Sequence, residues 1–498
     1  RAELDKVAQQ LSDSEKQQLI EQALALKSAQ EEPEDLSCLP TLELSDIPAE
    51  EPAVPVERQR QGSIDCCWFD QPTNGIGTVA LNFGLSGLNE EQLTYLPIFS
   101  SLLTQIGAGK RDYLQMAQQM EAVTGGISAR TSLLDNPASL DNFTTTFEVK
   151  GKALVRNCQP LFDLLQDIIL APDFSDLQRI HTVLNQLRIS LENSVPQSGH
   201  TYAARTAAAC LTPVAWRREQ WSGLSQVAMI RKYAELKPEE LKPLADALAQ
   251  IARELFCRAQ LQTAVTVEKA NFEVFRTSLE QLFVALPESV SASGYEEKQF
   301  QPQPKRRGFV WSLPVNYVTR AFRAVPYTHP DSAALTILAK LLRAEFLHRE
   351  IREKGGAYGG MASYNCEAGI FTMMSYRDPH IQRTLQVYQQ AIEWVISGDF
   401  SAESLKEAVL AVFGDLDKPL SPAGAGSQEF ANLRQGLTLE MRNKMRQQLL
   451  AVDAAALQAV AQKYLQQGQS AVSVLAGEAA LRQANEQLGE QALELRKI

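Results

Sequence analysis

The chain has no run of about 18 apolar residues, so nothing in it reads as a transmembrane helix, and no membrane partner is expected. No secretory signal pattern is visible. Paired-thiol chemistry is also missing. The seven cysteines are Cys38, Cys66, Cys67, Cys158, Cys210, Cys257 and Cys366; their number is odd and none forms a Cys-x-x-Cys motif. That usage suggests a reducing compartment and buried or neutral thiols. Positive charge is in deficit. With 48 Lys and Arg against 59 Asp and Glu, the net charge of −11 argues against nucleic acid as the main partner. It does not exclude peptides, because the charge of a local surface can differ from the total. The first residue is Arg1 rather than Met, which suits a piece of a longer polypeptide whose targeting sequence is out of view.

What is present is ordinary globular material. The 498 residues are 45% apolar and 21% charged, enough for sizeable cores in roughly two to four domains. Residues 1–30 carry a helical stripe of Leu4, Val7, Leu11, Leu19, Ile20, Ala23 and Leu26, with Ser12 or Ser14 as N-cap if the helix breaks there. Pro33, Pro40, Pro48, Pro52 and Pro55 make residues 31–62 an extended linker. The remainder repeats itself. Asp173-Phe174-Ser175 returns as Asp399-Phe400-Ser401, an offset of 399 − 173 = 226. Thr124-Gly125-Gly126 returns as Lys354-Gly355-Gly356, and the strand beginning at Phe143 as the one beginning at Phe371, offsets of 230 and 228. Shared capping habits would explain one such echo more easily than three at nearly one offset.

Each repeat opens on a strand, Thr78 to Leu85 in one and Tyr317 to Val325 in the other. A long helix, a Gly-Gly turn, two strands and several helices follow, with Ser175 and Ser401 as expected N-caps. The order predicts an α+β fold: two repeated domains, each a mostly antiparallel sheet with helices packed on one face, preceded by a helical segment. The expected boundaries are 1–62, 63–297 and 298–498.

One stretch carries more chemistry than the rest. An amphipathic pattern from Asp331 through Leu347 runs into Arg352-Glu353-Lys354-Gly355-Gly356-Ala357-Tyr358-Gly359-Gly360. Arg352 is a permanent cation with a planar donor fork, and Tyr358 adds a phenolic donor. Two such donors beside a glycine-rich backbone suit a peptide carbonyl and the oxyanion it becomes under attack. The plainer reading is a helix C-cap with a solvated Arg and a core Tyr.

This segment resembles the substrate-contacting segment in the C-terminal half of zinc metalloproteases of the insulinase/pitrilysin class, in their presequence-protease subfamily. Leu39-Pro40-Thr41-Leu42 with Ser45-Asp46-Ile47-Pro48 is similar to the link after that subfamily's helical hinge. Ser375-Tyr376-Arg377-Asp378-Pro379 resembles a strand-end turn, and Gly414 to Leu420, with Pro422 and Gly426, a loop between late helices. The resemblance implies a half-enzyme that closes a chamber around unfolded peptides. Arg352 and Tyr358 would act on the scissile carbonyl, with Gly355, Gly356 and Ala357 setting the backbone between them. It also implies zinc in the intact enzyme, held by an N-terminal catalytic half that is the partner of this chain. A bacterial cytoplasm or an organelle matrix fits such an enzyme. Two other readings stand beside it: a structural relative that only scaffolds, and a module that captures peptides without cutting them.

The family's zinc signature, His-x-x-Glu-His on a helix, is missing. The five histidines are His181, His200, His329, His348 and His380, and none begins or ends such a motif. His348-Arg349-Glu350 has the wrong spacing and reads as a charged helix face. In the first repeat the corresponding helix reads Leu96-Pro97-Ile98-Phe99-Ser100-Ser101-Leu102-Leu103, without His or Glu. No metal site is therefore expected in this chain. The first repeat reads as a degenerate copy whose Gly125 and Gly126 serve a turn.

Overall fold

In the computed structural model, the described residues are 11–31, 42–62, 64–289 and 300–498. Leu4, Val7, Pro33, Cys38, Leu39, Pro40 and Thr41 lie outside them. The chain forms two units, residues 1–47 and 48–498. In the smaller one, helix α1 spans Asp13–Glu31. Ser12 caps it: its N–H donates to Glu15 Oε2 at 2.8 Å, and its Oγ accepts the Glu15 N–H at 3.3 Å. Leu19, Ile20, Leu24 and Leu26 are exposed on this helix.

The larger unit contains two six-stranded sheets. The first uses β1 (Glu57–Gln61), β2 (Ile64–Asp70) and β3 (Ile76–Gly84). Helix α2 (Glu90–Leu103), the short strand β4 (Gly107–Ala108) and helix α3 (Tyr113–Val123) follow. Next come β5 (Ile127–Asn136), β6 (Ser139–Leu154), helix α4 (Cys158–Leu170) and β7 (Pro172–Asp173), which pairs only with β4. Helices α5 (Leu177–Ala208), α6 (Pro213–Ser222), α7 (Leu224–Ala234) and α8 (Lys242–Leu255) then lead to β8 (Leu261–Val267) and α9 (Phe272–Ala285). The sheet order is β1-β2-β8-β3-β6-β5, antiparallel except for β2 with β8. Residues 57–61, expected to be linker, already form its edge strand.

The second sheet repeats that order. Its strands are β9 (Arg306–Val310), β10 (Tyr317–Arg323), β11 (Gly359–Asn365), β12 (Ile370–Tyr376), β13 (Ser470–Ala476) and β14 (Glu494–Lys497), arranged β11-β12-β10-β13-β9-β14. Read from the other edge, β9, β13, β10, β12 and β11 take the places of β2, β8, β3, β6 and β5. Its helices are α10 (Ser332–Leu341), α11 (Gln382–Ser397), α12 (Ala402–Leu416), α13 (Pro422–Gln435), α14 (Leu439–Leu450), α15 (Ala454–Val460) and α16 (Glu478–Leu488).

Three local expectations change. Two helices, α2 and α3, rather than one long helix, precede the first Gly-Gly turn. Asp176, not Ser175, caps α5: its carboxylate accepts the Arg179 N–H at 2.9 Å, while Ser175 donates its own N–H to Asp173. The helix begun at Ser332 does not stay α-helical to its end but widens into a π-helix over Leu342–Glu353. Ser401 does cap α12, accepting the Ser404 N–H at 2.9 Å.

Alternation within the strands places apolar residues on both faces of each sheet. In the first, Trp68, Leu81, Phe83, Phe147, Val149 and Val265 pack on that repeat's own helices through Leu96, Phe99, Leu165 and Leu248. The opposite face, with Cys67, Phe69, Ala80 and Ala264, meets Phe430 of α13, a helix of the second repeat. Gly426 permits the approach, since a Cβ there would stand 2.3 Å from Thr266 Oγ1. The exchange is mutual. Tyr202, Ala203 and Ala207 of α5 lie against Tyr317, Ala321, Ala471 and Leu475 of the second sheet. Helix α5 is kinked on the way, with Pro196 inside it and Ser198 at φ −125°, ψ 29°.

Candidate active-site segment and the family it belongs to

The π-helix ends in a closure built on glycine. The Lys354 N–H donates to Arg349 O, Gly356 N–H to Arg352 O and Ala357 N–H to Ile351 O, at 3.0, 3.0 and 3.1 Å. Gly356 takes the left-handed conformation at φ +77° that ends many helices. Gly355 and Gly360 answer a different need. A Cβ on Gly355 would sit 2.4 Å from Ile351 O, and one on Gly360 2.5 Å from Leu347 O. The turn is thus pressed against the helix it leaves, and Arg383 of α11 holds it from outside by donating to Lys354 O at 3.0 Å.

This backbone brings the two candidate donors together. Ala357 is buried, and Tyr358 starts the next strand by donating its N–H to Tyr376 O at 3.0 Å. Tyr358 is 65% exposed, which corrects the plainer reading of a core tyrosine. Arg352 is exposed too, with its guanidinium carbon 5.7 Å from the Tyr358 ring centroid and Nη1 3.3 Å from His348 Nε2. His348, Arg349 and Glu350 form the expected charged face: His348 pairs with Glu353 at 3.3 Å, and Glu350 with Lys354 at 2.7 Å. A cation and a phenol side by side on an exposed surface can donate to one carbonyl oxygen, or to the anion that forms from it.

Sequence reasoning passed over what lies behind Tyr358. Tyr376 stands edge-on to it, with centroids 5.6 Å apart, and His200 packs on Tyr376 at 4.9 Å. Tyr376 belongs to the Ser375–Pro379 stretch singled out above, so its place was visible; a lone histidine in a long helix carried no signal.

The first repeat's counterpart is built otherwise. Gly125 N–H donates to Lys152 O at 2.8 Å and Gly126 O accepts from Lys152 N at 3.2 Å, tying the turn to β6. On α2, Leu96, Ile98, Phe99, Leu102 and Leu103 are all buried in the core. Among the described residues no three His, Cys, Asp or Glu side chains are grouped as a metal site would need. Burial pushes the Cys67 thiol up to about 11 and the Cys366 thiol up to about 12, so both are neutral.

Residues 1–232 match the family of domains associated with peptidase family M16, subfamily C, and residues 307–475 match "PreP C-terminal domain". The chain belongs to the presequence-protease group of that peptidase subfamily. It is 34% identical over 487 residues to the protein named "Presequence protease, mitochondrial" of Xenopus laevis, covering 92% of this chain and 47% of that one. For the protein of that name from Yarrowia lipolytica the identity is 36% over 469 residues, covering 93% and 46%. The chain therefore spans about half the length of the curated relatives it matches. Among solved structures, a peptidase M16 inactive domain from Pseudomonas fluorescens shares the fold at TM-score 0.60 and 14% identity, covering 85% of this chain and 98% of that one. A conserved protein from Enterococcus faecalis does so at TM-score 0.62 and 16% identity, covering 85% and 99%.

Proposed function

We propose that this presequence-protease-like chain is the substrate-binding, chamber-closing half of a zinc metalloendopeptidase that degrades unfolded peptides. The observation that carries the reading is the exposed Arg352–Tyr358 pair on a tightly closed π-helix and glycine turn. Arg352 supplies fixed positive charge, Tyr358 a neutral donor, and the packed turn fixes the backbone that carries both, so that they can answer the charge developing on the carbonyl oxygen. Gly355, Gly356 and Ala357 set the backbone between them. A bulky residue at Gly356 strains a positive φ and displaces Tyr358, so such a variant loses activity.

Among the described residues no group fits zinc: His348 is engaged by Arg352 and Glu353, and the first repeat's helix α2 carries no histidine. Zinc in the intact enzyme would be held by the N-terminal half, the partner we propose, and the isolated chain would be inactive. No nucleic-acid or membrane partner is part of this reading. The division into repeats, 63–297 and 298–498, is likewise our proposal; the matching strand orders favour two repeats, and β1 carries the first of them back to Glu57. Neutral thiols suit a reducing compartment. We place the chain in a bacterial cytoplasm, with an organelle matrix as the alternative that the relatives' mitochondrial names favour.

The test is peptide hydrolysis and zinc content for this chain alone and after mixing with its N-terminal half. Activity that appears only on mixing, and that Arg352→Ala or Tyr358→Phe cuts by roughly 100- to 1000-fold, supports the proposal. Zinc-dependent cleavage by the chain alone overturns it. The second reading, a non-catalytic relative, draws on the fold shared with an inactive M16 domain. A gene lacking an upstream His-x-x-Glu-His would favour that reading or simple peptide capture.

A further inference from the structure

Tyr358 is held by few contacts. The residue is 65% exposed, and what fixes its direction is the backbone bond to Tyr376 O, the Arg352 guanidinium at 5.7 Å and the Tyr376 ring. The Tyr358 and Tyr376 rings meet at 79°, the edge-to-face arrangement that aromatic quadrupoles favour. Tyr376 is gripped in turn from its other side. His200 meets it at 73° with centroids 4.9 Å apart, Tyr317 lies 5.8 Å away, and the Arg377 guanidinium 5.3 Å from its centroid.

The far end of this row is anchored in the first repeat. Tyr317 is fully buried and donates its hydroxyl to the carbonyl of Pro196, inside kinked α5. It lies on Gly199, where a Cβ would stand 2.2 Å from the ring. His200 follows directly, two residues beyond the non-helical Ser198, and its ring meets Tyr376. The row therefore runs from a helix of the degenerate repeat to the exposed phenol of the other.

We propose that His200 is a positioning residue for Tyr358, acting through Tyr376. The inference rests on the reading of Arg352 and Tyr358 as the substrate-facing pair. It assigns the first repeat a part in the site: it fixes the direction of a donor it does not itself provide. His200 contributes through its edge-to-face contact with Tyr376, while its Nε2 lies 3.4 Å from Thr201 Oγ1. Its Nδ1 is buried and has no hydrogen-bond partner among the described residues, and burial pulls its pKa down, so the ring is neutral near pH 7. Leucine at this position fills similar space and removes the unpartnered nitrogen, but cannot make the edge-to-face contact.

The experiment uses the full-length enzyme and an unstructured fluorogenic peptide, with kcat, KM and melting temperature measured for each variant. An aromatic contact of ordinary strength predicts that His200→Leu lowers kcat by roughly 2- to 10-fold, with KM and melting temperature held. His200→Phe restores most of the loss. In a Tyr358→Phe background His200→Leu has no further effect, because the donor it positions is gone. Should His200→Leu fail to fold, Tyr376→Leu against Tyr376→Phe asks the same question from the next ring, the phenylalanine recovering what the leucine loses. Unchanged kcat in the leucine variants, or losses that multiply independently with Tyr358→Phe, overturns the inference while leaving the site intact. Full activity in Tyr358→Phe itself removes the underlying reading instead.

Discussion

Thr124-Gly125-Gly126 and Lys354-Gly355-Gly356 hold equivalent places in two sheets of one strand order, each just ahead of an edge strand. Only the second has the makings of a site. The first turn follows an ordinary α-helix and is clipped to β6 by backbone bonds; it presents no cation beside an aromatic ring. The second follows a π-helix, is wedged against Ile351 O and Leu347 O, and sets Arg352 beside an exposed Tyr358. A glycine pair marks a sharp turn in both copies. What it is used for depends on the helix that enters it and the residue that leaves it.

The strongest way to break that contrast is matched substitution. In the enzyme reconstituted with its N-terminal half, Arg352→Ala or Tyr358→Phe should cost roughly 100- to 1000-fold in turnover, whereas Gly125→Ala should leave turnover unchanged. Equal losses in both turns would show that both repeats face the substrate. Next, Phe99→Ala should destabilise the chain by about 3–5 kcal/mol in urea unfolding, because it empties a buried aromatic cluster with Phe147, Phe174 and Phe256. A small loss there would mean that α2 is not the core helix described. Gly356→Ala should cost about 1–2 kcal/mol for its positive φ with no clash to relieve. Gly360→Ala meets Leu347 O at 2.5 Å and should also lower turnover, by shifting the helix that carries Arg352.

The smallest effect concerns how the second repeat's outer helices are joined. Lys340 of α10 and Lys418 donate to Asp415 of α12, and their hydrogen bonds hold its carboxyl down to about 2, against an ordinary 3.8. A depressed carboxylate pKa stabilises the fold fully above the unfolded value and loses that contribution as pH falls through the folded one. Stability should therefore drop between about pH 4 and pH 2, and Asp415→Asn should flatten that part of the urea-midpoint profile. The pair is exposed, so the change is modest and shrinks in high salt. An unchanged profile in Asp415→Asn would rule the contact out as a contributor.

Much of this was legible in the chain itself. Period-two and helical patterning marked β3, β10 and the helices around them, and three echoes at nearly one offset announced the repeat. The missing His-x-x-Glu-His and the apolar run through Leu96, Phe99 and Leu103 set the expectation that this chain carries no zinc signature. Arg352, the glycines and Tyr358 stood out as two donors beside a glycine-rich turn, but local pattern alone also suited a plain helix C-cap, and the family resemblance is what made them site candidates. Other features needed the folded molecule. No local pattern says that α5 crosses to cover the second sheet or that α13 covers the first. Nor does one say that α5 brings His200 against Tyr376, a residue 176 positions away by 376 − 200. The choice between a core tyrosine and an exposed one at 358 belongs here as well. Such contacts join residues that share no period or motif, so burial and packing across the two repeats decide them, and only tertiary structure records the result.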